Sequence, residues 1–456
     1  MFNNMYLPTR HKFDKRQKLT QKEHELLIYE TTLELVKSYD ILFNRRELIP
    51  SDLKMADRVY NAAIELLERV GVFFSDEEKV LDLNREDIWA AIQSKRRSFM
   101  IGEGVDATQL RFRDVLDDRM PVIMGGPTAI PVSSEMYVPI HRSYAKVGII
   151  DSIGPATIHR LPGDDLIKPL VSLYSAHEAI SGLKQACKLE GRPGLCCISP
   201  PFVEDVRTAL SIANPGIMGP GDFQEMYPLP DLTAKIDEIV KASHYKLIGS
   251  NYLCTHQLVM GGMTNGSAEQ FAIQIVAEAL KSNTLYSGIF FKVPTNVKMP
   301  TSTSADTLWA SSLASIAISR NTHCISGTVV NNSAGPCTKM SFYETAVQTI
   351  ECTVCGDDII SGPVLNNGSM VDHAAGLESQ FLAEIAELAR TLSIEDANFL
   401  CMQLYEKYRN KVKMPETGKS FPECYDLTTL TPSTEYKNKY SSVIKEIFEL
   451  LSNGLR

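Results

Sequence analysis

Residues 286–293 (YSGIFFKV), 323–330 (HCISGTVV) and 358–365 (DIISGPVL) are short runs rich in Ile and Val, separated by segments with helical periodicity. Such runs are typical of buried strands, and strands that alternate with helices predict parallel βαβ units. Four earlier runs have the same character: PVIMGG from residue 121, VGIIDSIG from 147, GLCCIS from 194 and YKLIGSNYLC from 245. About eight such units predict a closed (β/α)₈ TIM barrel.

Helical segments are predicted between the runs and on both sides of the barrel. Those between the runs are 169–187, 231–242, 267–281, 307–319 and 343–355. Those outside are 23–39, 55–70, 376–392, 393–408 and 432–451. We therefore predict an N-terminal helical cap over 1–119, a barrel core over 120–372 and a C-terminal helical extension over 373–456, packed as one compact domain.

Composition and charge exclude several classes of protein. The chain has 456 residues, of which 44% are hydrophobic and 22% charged, as in ordinary globular proteins. The net charge of -9 argues against non-specific binding to nucleic acid. No apolar run is long enough for a signal peptide or a membrane span, so we expect a cytoplasmic protein that does not contact a membrane.

Ten cysteines are scattered through apolar segments, which is typical of reduced, buried thiols in a reducing compartment. Cys352 and Cys355 form a CxxC motif, but no second pair of Cys or His stands at the spacing of a zinc finger. We predict no metal site, and a zinc or redox role for this motif is the alternative. Cys196 and Cys197 are adjacent, so at most one faces the barrel interior, and packing explains them better than nucleophilic chemistry.

The reacting groups of a TIM barrel lie at the C-terminal ends of its strands. This rule predicts a common mouth lined by Thr128, Ile198, Ser199, Cys254, Thr255, His256, Val293, Val329, Asn331 and Asn332. His256 is predicted there as a general base or polar anchor, with a histidine bound to loop backbone as the equal alternative. A cluster of aromatic residues could enclose a quaternary ammonium, or could belong to the core: Tyr137, Tyr252, Phe290, Phe291 and Trp309.

The segment GRPGLCCISPP (191–201) closely resembles the strand that carries pyrrolysine in the monomethylamine methyltransferases. Further blocks resemble that family in the same order: GGPTAIPVS from residue 125, VPIHRSYA from 138, AGPCTKM from 334 and KSFPECYDLTTLTP from 419. The resemblance implies a (β/α)₈ barrel, a homo-oligomer that is a hexamer by analogy, and a partner corrinoid protein. Its cobalt, a cofactor that this chain itself does not hold tightly, would accept the methyl group.

The chain departs from the family at the residues that carry the chemistry. Aligned on the flanking Gly and Pro residues, Ile198 stands at the pyrrolysine position and offers no imine and no titratable group. By the same resemblance, a family glutamate becomes Thr255 and a family glutamine becomes Val329. Glu225, in GDFQEMYP, is the acidic residue that aligns with a family glutamate and is retained.

These changes predict a drier site that disfavours small, strongly hydrated ammonium ions and suits bulky N-methyl groups. We therefore expect a corrinoid-dependent methyltransferase that works without pyrrolysine on a quaternary or otherwise bulky methylated amine. Glu225 and His256 are the predicted catalytic residues. The predicted substrate-binding residues are Ile198, Tyr252, Thr255, Phe291, Val329 and Asn331. The alternatives are monomethylamine activity by an altered mechanism and a non-catalytic scaffold that binds the corrinoid protein, while an O-methyl or S-methyl donor is a related option.

Overall fold

A computed structural model describes residues 19–159, 168–201, 203, 205–299 and 301–454. Eight parallel strands form its central sheet. They are β1 (Val122–Gly125), β2 (Ser152–Ile153), β3 (Cys196–Cys197), β4 (Phe223–Met226), β5 (Asn251–Met260), β6 (Ile289–Asn296), β7 (Ser326–Asn331) and β8 (Ile359–Val364). The order of neighbours is β4-β5-β6-β7-β8-β1-β2-β3, and a parallel bridge between Ile198 and Phe223 joins β3 to β4. The predicted (β/α)₈ barrel is confirmed.

A helix follows each strand of the barrel. These helices are α1 (Ser134–Ala145), α2 (Lys168–Leu189), α3 (Val206–Ile212), α4 (Ile236–Leu247), α5 (Ala268–Leu285), α6 (Ala305–Thr322), α7 (Lys339–Val354) and α8 (Gly376–Ala389). Their apolar faces bury against the sheet and against each other, as the residues of α5 show from Phe271 to Leu280. Hydrophobic side chains from the strands and these helices form one continuous core.

The N-terminal region covers one side and the bottom of the barrel. The helices Gln21–Ser38 and Leu53–Val70 pack against α5, and the second also packs against α6. Val59, Ala62 and Leu66 form part of the buried stripe that the second helix presents to the barrel. The remaining elements there are the strands Val72–Phe74 and Lys79–Leu81, the helix Arg85–Gln93, the hairpin of Ser98–Ile101 and Thr108–Arg111, and the 3₁₀ turn Gly104–Asp106.

The C-terminal region is mostly helical. The helices Ile394–Tyr408 and Thr434–Gly454 pack against α7, and the latter also contacts the former. Small elements complete the described chain: strand pairs Pro131–Val132 with Thr157–Ile158 and Tyr425–Asp426 with Thr431–Pro432, strand Thr233–Ala234 beside Val72–Phe74, the turn Leu365–Gly368 and the short helix Phe421–Cys424. None of the helices in the described part of the chain combines the length and hydropathy needed to cross a bilayer.

Two local predictions differ from the structure. The strand β4 (Phe223–Met226) was not among the predicted runs, because its buried residues Gln224 and Glu225 remove the apolar signal. The helix predicted at 231–242 begins instead at Ile236 and ends at Leu247. Tyr245 consequently belongs to α4 rather than to the next strand, since a buried aromatic on a helix face has the same local signature as one on a strand.

Candidate active site

A cavity of about 410 Å³ lies in the barrel at the C-terminal ends of its strands. We call it the barrel pocket. Its lining consists of Met124, Thr128, Ala129, Ile198, Glu225, Tyr227, Thr255, Gln257, Phe291, Val293, Val329, Asn331, Ser361, Val364, Asn367 and Gly368. Pocket residues lie two positions apart along β5, β6 and β7, which is the spacing of side chains on one face of a strand.

Glu225 is the acidic residue of the pocket. Its side chain is buried on β4, and the hydroxyl of Thr255 on β5 donates a hydrogen bond of 2.7 Å to its Oε1. Burial raises the pKa of Glu225 to about 7, although the hydroxyls of Thr255 and Tyr227 act in the opposite direction. The carboxyl is therefore near half-ionisation at neutral pH, and its charge state responds to the ligand placed beside it.

Apolar side chains form much of the remaining wall. Ile198, Phe291 and Val329 are all buried and come from three different parts of the barrel, the end of β3, β6 and β7. The ring of Phe291 occupies space that a side chain at position 327 would need, because a Cβ on Gly327 would lie 2.2 Å from its Cε2. Gly327 thus permits this aromatic ring to line the pocket.

The main chain around Ile198 is fixed on both sides. Its amide donates to the carbonyl of Ile153 at 3.1 Å, and the amide of Ser199 donates to the carbonyl of Phe223 at 2.8 Å. The hydroxyl of Ser199 accepts a bond of 2.8 Å from the amide of Glu225. The backbone at position 198 is consequently positioned relative to the carboxyl through a short chain of hydrogen bonds.

Hydrogen-bonding groups are distributed around the other side of the pocket. The amide of Asn331 donates to Gln348 Oε1 at 3.0 Å, whereas its own buried Oδ1 has no partner among the described residues. The buried hydroxyl of Thr128 likewise has no such partner. Gln257 and Ser361 add further polar atoms. Buried polar groups without a protein partner are commonly satisfied by a ligand or by water.

The charge inventory of the pocket is asymmetric. Glu225 contributes a carboxyl, while the described lining residues include no Lys, Arg or His. Among all described residues, no group of three or more His, Cys, Asp and Glu side chains is arranged to hold a metal ion. Within the part of the chain that the structure describes, the lining can therefore compensate a positive charge, and it supplies no cation to compensate a negative one.

The structure places His256 away from the pocket, so its predicted position at the barrel mouth is wrong. Its side chain alternates with those of Thr255 and Gln257 and therefore faces α5. There its Nδ1 lies 3.2 Å from Glu278 Oε2, and Lys281 Nζ lies 2.6 Å from the same oxygen. Burial lowers the pKa of His256. Thr255 and His256 are consecutive on the strand, so their side chains point to opposite faces and Thr255 alone of the two lines the pocket.

Tyr252 is a second correction. It lies near the start of β5, at the opposite end of the barrel, and its hydroxyl donates to the carbonyl of Tyr286 at 2.6 Å. Of the five aromatic residues that could have formed a cage or belonged to the core, Phe291 alone lines the described pocket, so the structure favours the core alternative for the other four. Phe290 packs on His256 and Trp309 packs on Phe43, both away from the pocket lining.

The other predicted mouth residues divide between the pocket and the protein interior. Thr128, Val293 and Asn331 line the pocket. Ser199, Cys254 and Asn332 are buried but are not part of its lining. Asn332, for example, donates through Nδ2 to the carbonyl of Ser341 at 2.9 Å. Cys196, Cys197, Cys352 and Cys355 are buried free thiols, and the pKa of each is raised well above its ordinary value.

Eight of the sixteen described lining residues were not predicted from the sequence, and Tyr227 and Gln257 are two of them. Each of these two lies two positions after a residue that was predicted, Glu225 and Thr255 respectively. The two-residue period of a strand was therefore the signal that could have found them.

A model of the family described as "Monomethylamine methyltransferase MtmB" matches residues 6–451 of this chain. The chain belongs to the MtmB family. It is accordingly a methyltransferase, and the expected family membership is confirmed. MtmB1 of Methanosarcina barkeri is 29% identical over 437 residues, covering 95% of each chain. MtmB of Methanosarcina mazei is also 29% identical over 437 residues with the same coverage.

Solved structures of MtmB have the same fold. The crystal structure of Methanosarcina barkeri MtmB matches with a TM-score of 0.92 at 28% identity, covering 96% of both chains. A crystal structure of a hydroxylamine complex of MtmB matches equally well, with a TM-score of 0.92. Nearly the whole chain, including the strands that line the barrel pocket, thus has the MtmB fold.

Proposed function

We propose that this chain transfers a methyl group from a quaternary or bulky N-methylated cation to the Co(I) of a corrinoid carried by a partner protein. The donor would be held without a covalent bond to residue 198. One observation carries the proposal: the barrel pocket combines the buried carboxyl of Glu225 with an apolar wall, and none of its described lining residues is cationic.

Charge favours a cationic donor. A buried carboxylate is costly unless a positive charge or hydrogen bonds compensate it, and the pKa of Glu225 near 7 reflects that cost. A permanently cationic ligand would supply the missing charge and hold the carboxyl ionised. The face of Phe291 would contribute a further attraction through cation–π contact.

Size favours a bulky donor. The pocket has a volume of about 410 Å³. In liquid water, each molecule takes up roughly 30 Å³. Methylamine has two heavy atoms and would leave most of that volume to water. A quaternary ammonium with a substituent would fill more of it and exclude more water from the reacting carbon.

The chemistry of methyl displacement is consistent with the residues present. The C–N bond breaks with its electron pair staying on nitrogen, so a quaternary donor leaves as a neutral tertiary amine and needs no proton. The reduced corrinoid supplies the nucleophilic metal. Glu225 and Phe291 would bind and orient the cation, and Ile198 and Val329 would keep the methyl group in a dry environment.

A second candidate function is monomethylamine transfer by an altered mechanism. The names of the relatives favour it, because each is described as a monomethylamine methyltransferase. By the resemblance of 191–201 to the family, Ile198 replaces the residue that captures the amine. Methylamine would then have to react as a simple bound cation, with no adduct to orient it.

A donor panel separates these candidates. The purified protein is mixed with a reduced corrinoid protein from a methylamine pathway, and methylation of the corrinoid is followed by visible absorbance. The panel contains methylamine, trimethylamine, choline, tetramethylammonium and a methoxylated neutral compound. We expect methylation of the corrinoid with quaternary donors. The rate of methylation should fall at least tenfold in Glu225→Gln. It should change little in Tyr252→Phe, because the Tyr252 hydroxyl lies outside the pocket.

The other outcomes are equally informative. Methylation from methylamine alone would refute the proposed donor class and support the second candidate. Silence with every donor, while the corrinoid protein accepts methyl groups from its own methyltransferase, would support a non-catalytic scaffold. Co-elution of this chain with the corrinoid protein tests the proposed partner, and light scattering tests the homohexamer that the family resemblance implies.

A further inference from the structure

A second cavity lies at the opposite end of the barrel. The first residues of β5 and β6 line it, together with the two residues that precede β7. Its volume is about 60 Å³, and residues 95, 96 and 99 of the N-terminal region form one side of it. We call it the basal cavity. Its polar lining includes Lys95, Arg96, Ser250, Asn251, Asn283 and Ser287. It shares no lining residue with the barrel pocket.

Neutral groups alone hold the two cations of the basal cavity. Lys95 Nζ donates to the carbonyl of Gly288 at 2.9 Å. Arg96 Nη2 donates to Asn251 Oδ1 at 3.0 Å, and the guanidinium carbon lies 4.7 Å from the centre of the Phe99 ring. Neither cation forms an ion pair with a carboxylate of the described residues. Both are therefore oriented by the protein but not neutralised by it.

The groups facing Lys95 do not supply a negative charge. They are Cys254 and Cys324, whose thiol pKa values are raised by burial, and the cation Lys246. Burial accordingly lowers the pKa of Lys95 to about 8. Positive charge thus collects in this concave site although the chain has a net charge of -9.

A buried donor of the same cavity also lacks a partner. Asn283, on α5, is 2% exposed, and its Nδ2 has no hydrogen-bond acceptor among the described residues. Buried amide N–H groups are normally satisfied, so an acceptor belongs in front of it. Asn283 is independent of the two cations in sequence and in secondary structure, yet it lines the same small space.

We infer that the basal cavity binds a small inorganic oxyanion such as phosphate or sulfate, with Lys95 and Arg96 supplying charge and Asn283 a hydrogen bond. The volume admits such an ion but not a nucleotide. The bound anion links the N-terminal region to the starts of β5 and β6. It stabilises the closed end of the barrel and has no part in methyl transfer.

Titration calorimetry of the whole protein with inorganic phosphate at constant ionic strength tests the inference. We expect saturable binding with one site per chain, competition by sulfate, and at least a tenfold increase in the dissociation constant in Lys95→Met and in Arg96→Gln. Lys445→Met is the matched control, because Lys445 is exposed, is paired with Glu449 at 3.7 Å, and does not line the basal cavity. Absence of saturable binding, or an equal effect of the control substitution, overturns the inference.

A measurement on the unmodified protein guards against variants that do not fold. Lysine side chains are acylated with an amine-reactive ester at pH 8, with and without phosphate, and the rates are read by peptide mass spectrometry. We expect phosphate to slow the acylation of Lys95 at least fivefold and to leave that of Lys445 unchanged. Equal rates at Lys95 in the two conditions overturn the inference, whatever the donor panel shows.

Discussion

Glu225→Gln is the substitution that most directly tests the charge of the barrel pocket. Glutamine has the shape of the protonated glutamic acid, so the hydrogen bond from Thr255 has an acceptor in both proteins. No buried charge is left unpaired, and the fold should be retained. The variant differs from the wild type in that residue 225 can no longer ionise to meet a cationic donor.

The pKa of Glu225 sets the expected magnitude. With a pKa of about 7, the carboxyl is roughly nine-tenths ionised at pH 8 and roughly one-tenth ionised at pH 6. If a cation binds the ionised form, its dissociation constant should rise about tenfold between pH 8 and pH 6, or about 1.4 kcal/mol. Affinity is lost as pH falls, because protonation removes the charge. Truncating one partner of a buried charge pair costs about 2 kcal/mol or more, so Glu225→Gln should weaken binding about 30-fold at pH 8.

Titration calorimetry with choline and 3,3-dimethyl-1-butanol provides the measurement. The two ligands have the same shape, but the second carries carbon in place of the charged nitrogen. We expect the pH dependence for choline alone, and its disappearance in Glu225→Gln. Equal weakening of both ligands by the substitution, or pH-independent binding of choline to the wild type, would refute the reasoning about charge.

Three further outcomes are expected. Thr255→Val removes a hydrogen bond that lowers the pKa of Glu225, so the pH midpoint of choline binding should move upward in calorimetry. Phe291→Leu should weaken choline by about 3- to 30-fold through loss of cation–π contact, whereas Tyr252→Phe should change its dissociation constant less than twofold. Burial raises the pKa of Glu378 to about 8, so its folded-state protonation stabilises the protein at low pH and that stability is lost as pH rises through 8. The melting temperature should therefore fall from pH 6 to pH 9 in the wild type, and it should fall less steeply in Glu378→Gln. The same pH dependence of the melting temperature in both proteins would contradict this assignment.

Most of the barrel could be predicted because its strands are buried on both faces. β6, β7 and β8 are rich in Ile and Val for that reason, and the periodic helices between them complete the signal. β4 escaped prediction because Gln224 and Glu225 are polar and nevertheless buried. Glu225, which lines the barrel pocket, is thus one of the two residues that remove the apolar signal of this strand.

The site was predicted in part for a different physical reason. The ends of the strands identified Thr255, Val329 and Asn331 without any knowledge of side-chain direction. Successive side chains of a strand point to opposite faces. An error of one residue in predicting which side chain faces the pocket therefore selects one that faces a helix, as happened with His256. The prediction for Tyr252 was wrong for another reason. The sequence did not show where the ten-residue strand β5 begins, and Tyr252 lies near its start rather than near the pocket.

The bridge that closes the barrel between β3 and β4 places residue 198 by its main chain alone. Its amide, the next amide and the neighbouring hydroxyl make the bonds that define its location, and the side chain makes none of them. The location of residue 198 is therefore set by groups other than its own side chain. A substitution at position 198 therefore changes the side chain presented to the barrel pocket and leaves these main-chain hydrogen bonds with the same donors and acceptors.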